Sequence, residues 1–165
     1  MADKTLTERL QPSLLDRLTD EDPTSQVESR DERVIDIRRL RDIIQRDLSA
    51  LLNTTSNDDW MDADRYPSAV RSVLNFGVQS VSGDFSTEDR AERIRKSIGR
   101  AIDFFEPRIR KGSTKVEIRT EETSRQTVIF FDIRADMWAQ PIPMELYLRS
   151  AVDVTTGEVS LERKG

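Results

Sequence analysis

The sequence contains no cysteine and no histidine among its 165 residues. Their absence excludes Ser-His-Asp and Cys-His catalysis, thiolate redox chemistry, and zinc sites built from imidazole or thiolate ligands. Carboxylates, amines and hydroxyls are the groups left for chemistry. We therefore expect no cofactor, no metal site and no catalytic residue of these common types.

Long apolar runs and a strong charge of one sign are missing too. No stretch approaches the roughly 18 apolar residues of a membrane span, and the N-terminal "MADKTLTERL" lacks the apolar core of a signal peptide. We therefore expect a cytoplasmic protein with no direct membrane insertion. The 31 acidic and 26 basic side chains leave a net charge of −5, which disfavours nucleic acid as a partner.

Apolar periodicity predicts helices first and strands last. A helix that ends near Leu52 and a second helix that begins after Ser86 show apolar residues at helical spacing. From Ser113 onward the period changes to two, in "KVEIRTE", "TVIFFDIRA", "MELYLRSAVDV" and "EVSLER". The sequence therefore predicts an α+β fold, in which helices pack on one face of a small antiparallel sheet built from C-terminal strand hairpins. The apolar stripes predicted to be buried are Ile37, Leu40, Ile44, Leu48 and Leu51 in the first helix, and Ala91, Ile94, Ile98, Ala101 or Ile102, and Phe105 in the second.

The first 28 residues differ from the rest of the chain. Residues 12–20, "PSLLDRLTD", carry Leu14, Leu15 and Leu18 at helical spacing, but the segment is too short to be a stable helix alone. The polar "EDPTSQVES" that follows is typical of a linker, and "SRDE" at residues 29–32 fits a capping box at a helix start. We predict an N-terminal arm and linker over residues 1–28 and one domain over residues 29–165. The leucines belong either to a tail folded back on this domain or to a peptide held out to a partner.

The stretch "DFFEPRIRKG", residues 103–112, places a Glu-Pro-Arg triplet at the end of the second helix. Pro107 should end that helix near Glu106 and leave extended backbone beyond it, so that Glu106 and Arg108 project from the same side. An isolated surface ion pair contributes only about 0–1 kcal/mol. In a partner's polar pocket such a pair could contribute several times more.

A catalytic role for Glu106 is the alternative. As the general acid of a peptidoglycan-cleaving muramidase it would need a second carboxylate within roughly 5–10 Å, and nothing singles out one acid among Asp103, Glu117 and Asp132. Arg108 on the same side would favour the charged form of the carboxylate, whereas an acid must be protonated. The two Trp and two Tyr that could stack on sugars are scattered. The residues favour partner binding over catalysis.

Five ordered segments carry a resemblance to a known family: "SLLDRL", "LRDIIQRDLSALLNT", "YPSAVRSVLNFG", "FEPRI" and "DMWAQPIPMELYLRSAVDVTTGEV". Together they resemble the TssE-like baseplate subunits of bacterial type VI secretion systems. That branch belongs to the phage-tail baseplate wedge proteins that were historically labelled lysozyme-like. The Glu-Pro-Arg triplet is the hallmark of this family, and Glu106, Pro107 and Arg108 match it fully.

The resemblance implies a structural, non-enzymatic role in a cytoplasmic baseplate docked at the inner membrane. TssF and TssG of the wedge would be partners, with Glu106 and Arg108 docked in the helical core bundle of the wedge. The C-terminal strands, roughly residues 144–161, would template the first ring of the TssB/TssC sheath by strand exchange. From the residues alone, this terminal hairpin is either open to strand addition or protected by its own charges. The predicted partner-binding residues are Glu106, Pro107, Arg108, Leu14, Leu15 and Leu18.

Overall fold

The computed structural model describes residues 13–19, 23–24, 37–80, 87–119, 127–137 and 144–164. Within these ranges four helices precede the strands, and this order of helices and strands agrees with the periodicity. The helices are α1 (Leu14–Leu18), α2 (Ile37–Leu52), α3 (Pro67–Val70) and α4 (Thr87–Phe105). Short 3-10 turns at Asp58–Trp60 and Val73–Asn75 lie in the connection between α2 and α4.

Four strands form one antiparallel sheet in the order β1-β2-β3-β4. The strands are β1 (Lys115–Arg119), β2 (Val128–Met137), β3 (Met144–Asp153) and β4 (Val159–Arg163). Gly157, with φ of 78°, lies in the turn between β3 and β4, where the left-handed conformation favours glycine. The predicted α+β class, with helices first and strand hairpins last, is confirmed.

The core lies between one face of the sheet and the two long helices. α4 packs near β1, and α2 packs near β4. Phe131 of β2 and Leu148 of β3 are fully buried at its centre. The predicted stripe of α2 is confirmed at Leu40, Ile44, Leu48 and Leu51, and the side chain of Ile37 lies outside the described residues.

Prediction of the second helix and of the strands holds with two differences. α4 ends at Phe105 and buries Ile94, Ile98 and both Ala101 and Ile102, although Phe105 is only partly buried. In the alternating pattern of "KVEIRTE", Ile118 lies on the same side as Val116, yet it is 42% exposed. β1 is an edge strand of the sheet, and Val116 is its buried side chain.

Backbone hydrogen bonds join the beginning and the end of the connection between α2 and α4. Ser56 N–H donates to Val78 O, and Val78 N–H donates to Thr54 O, both at 2.8 Å. Gly77 has φ of 128°, and a Cβ there would lie 2.3 Å from Thr54 O. Only glycine fits this close approach of the two chain segments. Asn75 is 3% exposed and bonds to three surrounding residues of the same connection.

Two predictions fall on residues outside those described. These are the capping box at residues 29–32 and most of the arm and linker over residues 1–28. The division between an arm and a domain at residue 29 stays a prediction.

Candidate functional site

The Glu-Pro-Arg triplet forms a turn instead of the extended segment predicted. Glu106 N–H still donates to Ile102 O at 3.0 Å, which completes the last helical bond, and Ile109 N–H donates to Glu106 O at 3.1 Å. This second bond closes a β-turn with Pro107 at its second position, where the fixed φ of proline fits well. The prediction of extended backbone beyond the helix was therefore wrong.

Glu106 and Arg108 fold onto each other across this turn. Arg108 Nε donates to Glu106 Oε1 at 2.7 Å and Nη2 donates to Oε2 at 2.5 Å, in a bidentate pair. The backbone N–H of Arg108 also donates to Glu106 Oε1, at 3.0 Å. Glu106 is 4% exposed, the Arg108 side chain is 25% exposed, and Pro107 is exposed at the tip of the turn. The predicted pair of outward-pointing charges is corrected to a buried carboxylate that holds a half-buried guanidinium.

Asp47 of α2 completes the site, and the sequence reasoning missed it. Arg108 Nη2 donates to Asp47 Oδ2 at 2.7 Å, so two carboxylates hold one guanidinium. Asp47 is not part of the predicted buried stripe of α2. It lies three residues after Ile44 and four before Leu51, at the border of the buried stripe, and this spacing is the signal that could have found it.

A row of ion pairs links the turn to α1. Arg46 Nη1 donates to Asp16 Oδ1 at 2.5 Å, while its Nε and Nη2 donate to Asp47 Oδ1 at 2.9 and 2.7 Å. Asp47 thus uses one oxygen for Arg46 and the other for Arg108. We call this alternation of charges across α2 the charge row, made of Asp16, Arg46, Asp47, Arg108 and Glu106.

The neighbouring charges favour the charged forms of Arg108 and Asp16 in the charge row. Burial lowers the pKa of Arg108, but the hydrogen bonds and attraction of Glu106, followed by those of Asp47, raise it above the ordinary arginine value. The hydrogen bond from Arg46 lowers the pKa of Asp16. Arg108 Nη1 differs from the other donors, because it is buried and has no hydrogen-bond partner among the described residues. The guanidinium therefore keeps one unused donor group.

Apolar contacts fix the turn on both sides. Ile109 is 2% exposed and forms an antiparallel bridge with Met137 at the end of β2. On the helix side, the ring of Phe105 lies 5.4 Å from the ring of Phe76 in an edge-to-face contact. Phe105 is thus the aromatic residue that anchors the turn, while Phe104 is 41% exposed. The rigid backbone positions Arg108 before any partner binds.

The other predicted binding residues lie on α1. Leu14, Leu15 and Leu18 are 71%, 61% and 75% exposed. α1 is attached by its polar side, through Asp16 and Arg46, so its leucines do not pack on the domain. The segment is therefore a tail held against its own domain that presents its apolar side chains outward, which combines the two alternatives left open by the sequence.

The acids considered as second carboxylates are used elsewhere. Asp103 Oδ1 accepts a hydrogen bond from Thr114 Oγ1 at 2.9 Å. Asp132 Oδ1 lies 3.6 Å from Arg149 Nε, on the sheet face opposite the helices. Glu117 is exposed on β1. The carboxylate that the fold brings to the triplet is Asp47, and Arg108 lies between it and Glu106.

The fold and the ion-paired turn define a structural α+β module, whose conspicuous feature is a preorganised cation at a helix–sheet junction. The family model of baseplate wedge protein gp25 matches residues 38–142, more than half of the chain. The chain therefore belongs to the gp25 family of baseplate wedge proteins, and its resemblance to the TssE-like subunits is confirmed. This membership supports a structural role in a baseplate, in contact with other baseplate components.

No curated protein and no solved structure shows significant similarity to the chain. Within the described ranges, every helix is too short or too polar to span a bilayer.

Proposed function

We propose that the chain is a wedge subunit of a type VI secretion baseplate, which joins TssF and TssG to the TssB/TssC sheath and helps initiate sheath polymerisation. The proposal places it in the cytoplasm, in a baseplate docked at the inner membrane. Family membership supports the baseplate role, and the preorganised turn supports a docking function within it. In this role the chain is not an enzyme and uses no cofactor.

The observation that carries the proposal is the state of Arg108. Two carboxylates fix Nε and Nη2, while Nη1 is left without a partner among the described residues. An unbonded buried donor costs an isolated protein about 1–3 kcal/mol. A wedge subunit that supplies an acceptor, after a small shift of the side chain, would recover this free energy at the interface.

Helix ends in the wedge are a chemically suitable source of that acceptor. The last four carbonyl groups of a helix have no partner within the helix, and the guanidinium is a strong donor to such oxygens. Pro107, exposed at the tip of the turn, would contact the same surface. Arg108 is therefore the proposed binding group, and Glu106 is the residue that positions it.

The leucines of α1 form a second proposed attachment. Their exposure leaves an apolar surface available to a partner, and the charge row connects this surface to Arg108. Apolar side chains of a short helix are common anchors in a partner's groove. The wedge would thus contact a cation at one end of the charge row and apolar side chains at the other.

A muramidase function has no observation in its favour. Both oxygens of Glu106 accept hydrogen bonds from Arg108, and the side chain is almost fully buried. A general acid must instead present a protonated carboxyl to its substrate. We expect purified protein to release no sugar fragments from cell-wall sacculi. Release that disappears in Glu106→Gln would contradict the structural assignment.

The binding test compares two arginines that are two residues apart. Arg108→Ala should reduce capture of TssF and TssG at least tenfold, about 1.4 kcal/mol or more. Arg108→Lys should also weaken capture, because an ammonium cannot reproduce the planar fork. Arg110→Ala is the matched control, since Arg110 is exposed and pairs only with Asp136 among the described residues. Unchanged capture by Arg108→Ala would contradict the proposal.

A further inference from the structure

The outer edge of β4 points its backbone groups toward α2. Lys164 N–H donates to Tyr147 O in β3. Because backbone groups alternate in direction along an antiparallel strand, those of Val159, Leu161 and Arg163 point away from β3. Such an edge is the place where a strand of another protein could add.

Side chains of α2 occupy this edge. Val159 N–H donates to Asn53 Oδ1 at 2.9 Å, and Asn53 Nδ2 donates to Val159 O at 2.8 Å. The amide therefore bonds Val159 as a neighbouring strand would. Gln45 Nε2 donates to Leu161 O at 3.1 Å. The edge is thus neither open at these residues nor protected only by charges, the two alternatives that the sequence left.

We propose that Gln45 and Asn53 form an autoinhibitory clasp, which closes the β4 edge of the free protein against strand addition. This inference rests on the proposed addition of a sheath strand to the C-terminal hairpin. An incoming strand needs the Val159 N–H and C=O that Asn53 occupies. Strand addition at this edge therefore requires the clasp to open.

The clasp is suited to reversible opening. Asn53 is exposed and Gln45 is half-buried, and both lie beside a groove of about 690 Å³ between α2 and β4. Neither side chain belongs to the buried core, although opening the clasp would also break the 2.8 Å hydrogen bond from Asn53 Nδ2 to Ser49 O. Each intramolecular hydrogen bond contributes only a small net stability. The three bonds of the clasp should therefore prevent the addition of a weakly bound strand, whereas a strand that forms more backbone hydrogen bonds with β4 should displace them.

The test uses the full chain, purified TssB–TssC complex as the probe, and a double variant, Gln45→Ala with Asn53→Ala. Opening the edge should tighten sheath binding about tenfold and accelerate amide hydrogen exchange at Val159. Asp42→Ala is the matched control. It removes the ion pair with Arg163, at 2.5 Å, which joins the same two elements without occupying an edge backbone group. The control should bind the sheath as the original protein does.

The outcomes separate the clasp from the sheath function. Equal sheath binding by the original protein and the double variant, with faster exchange at Val159, would overturn the clasp and leave the sheath role standing. If neither protein binds the sheath, the proposed sheath role fails, and sedimentation decides on the clasp. A double variant that dimerises through its opened edge supports the clasp, and one that stays monomeric overturns it. If the double variant does not fold, the same measurements are made with Asn53→Ala alone.

Discussion

The triplet turn and α1 are the two regions proposed to bind partners. The turn buries a charged side chain and α1 exposes apolar side chains, which is the opposite of the usual arrangement. Glu106 is charged, yet only 4% of it is exposed, whereas Leu14 and Leu18 are apolar and more than 70% exposed. The turn is held by a buried bidentate ion pair and by Ile109, while α1 is held by the ion pair between Asp16 and Arg46. The turn is therefore part of the folded core structure, and α1 is an appendage that can detach without unfolding it.

The largest expected effect is on the turn. Glu106→Ala should lower the free energy of unfolding by about 2–3 kcal/mol, because Arg108 would keep its partly buried charge and lose its bidentate partner. Urea denaturation measures this loss. The matched control is Glu117→Ala, which removes an exposed carboxylate and should change stability by less than about 0.5 kcal/mol. Equal stability of the two variants would contradict the structural role of Glu106.

A smaller effect is expected at Asp47. Asp47→Ala should cost about 1 kcal/mol, since the pair with Arg108 is partly exposed and Glu106 still holds the guanidinium. In a double-mutant cycle with Arg108→Ala, the two losses should be less than additive. Full additivity would show that Asp47 and Arg108 act independently in solution.

The attachment of α1 should respond to acid. The pKa of Asp16 is lowered by its hydrogen bond from Arg46, so the ion pair is fully present above the ordinary aspartate pKa, near 4. It is lost as the pH falls through the lowered value in the folded protein. NMR shifts of α1 should therefore change below about pH 4. Arg46→Ala should move this titration to higher pH, toward the ordinary aspartate pKa, because Asp16 loses the hydrogen bond that lowers its pKa. An unchanged midpoint in that variant would contradict the attachment.

The smallest expected effect concerns the leucines. Leu14→Ser with Leu18→Ser should change the free energy of unfolding by less than about 0.5 kcal/mol, because neither side chain is buried. The same variant should weaken capture of wedge subunits if α1 is a binding element. Leu48→Ala is the contrasting control, since that leucine is 1% exposed and its loss should cost about 2–5 kcal/mol. A large loss of stability in the α1 variant would mean that α1 packs on the domain.

Local pattern predicted the elements of the fold better than it predicted the site. Helical spacing identified the buried side of α2, and alternation identified the strands, because each of these patterns is formed by residues only a few positions apart in the chain. Proline at 107 is compatible with extended backbone and with a turn, and the choice depends on where Ile109 can be buried. Arg108 bonds Asp47, which lies 61 positions away in the chain, and Val159 bonds Asn53 from 106 positions away. Such partners are set by how the elements pack, and a single sequence does not specify them.

The connection between α2 and α4 contains a position suited to a fluorescent label. Val78 N–H donates to Thr54 O, so the residues between them form a loop that starts and ends at the same place. Trp60 lies in this loop, and its side chain is 90% exposed. Asp58, two residues before Trp60, pairs with Arg100 of α4, and Phe76 near the end of the connection packs on Phe105 beside the triplet turn. A fluorescent label attached at residue 60 should therefore report on changes at the turn when a partner binds there.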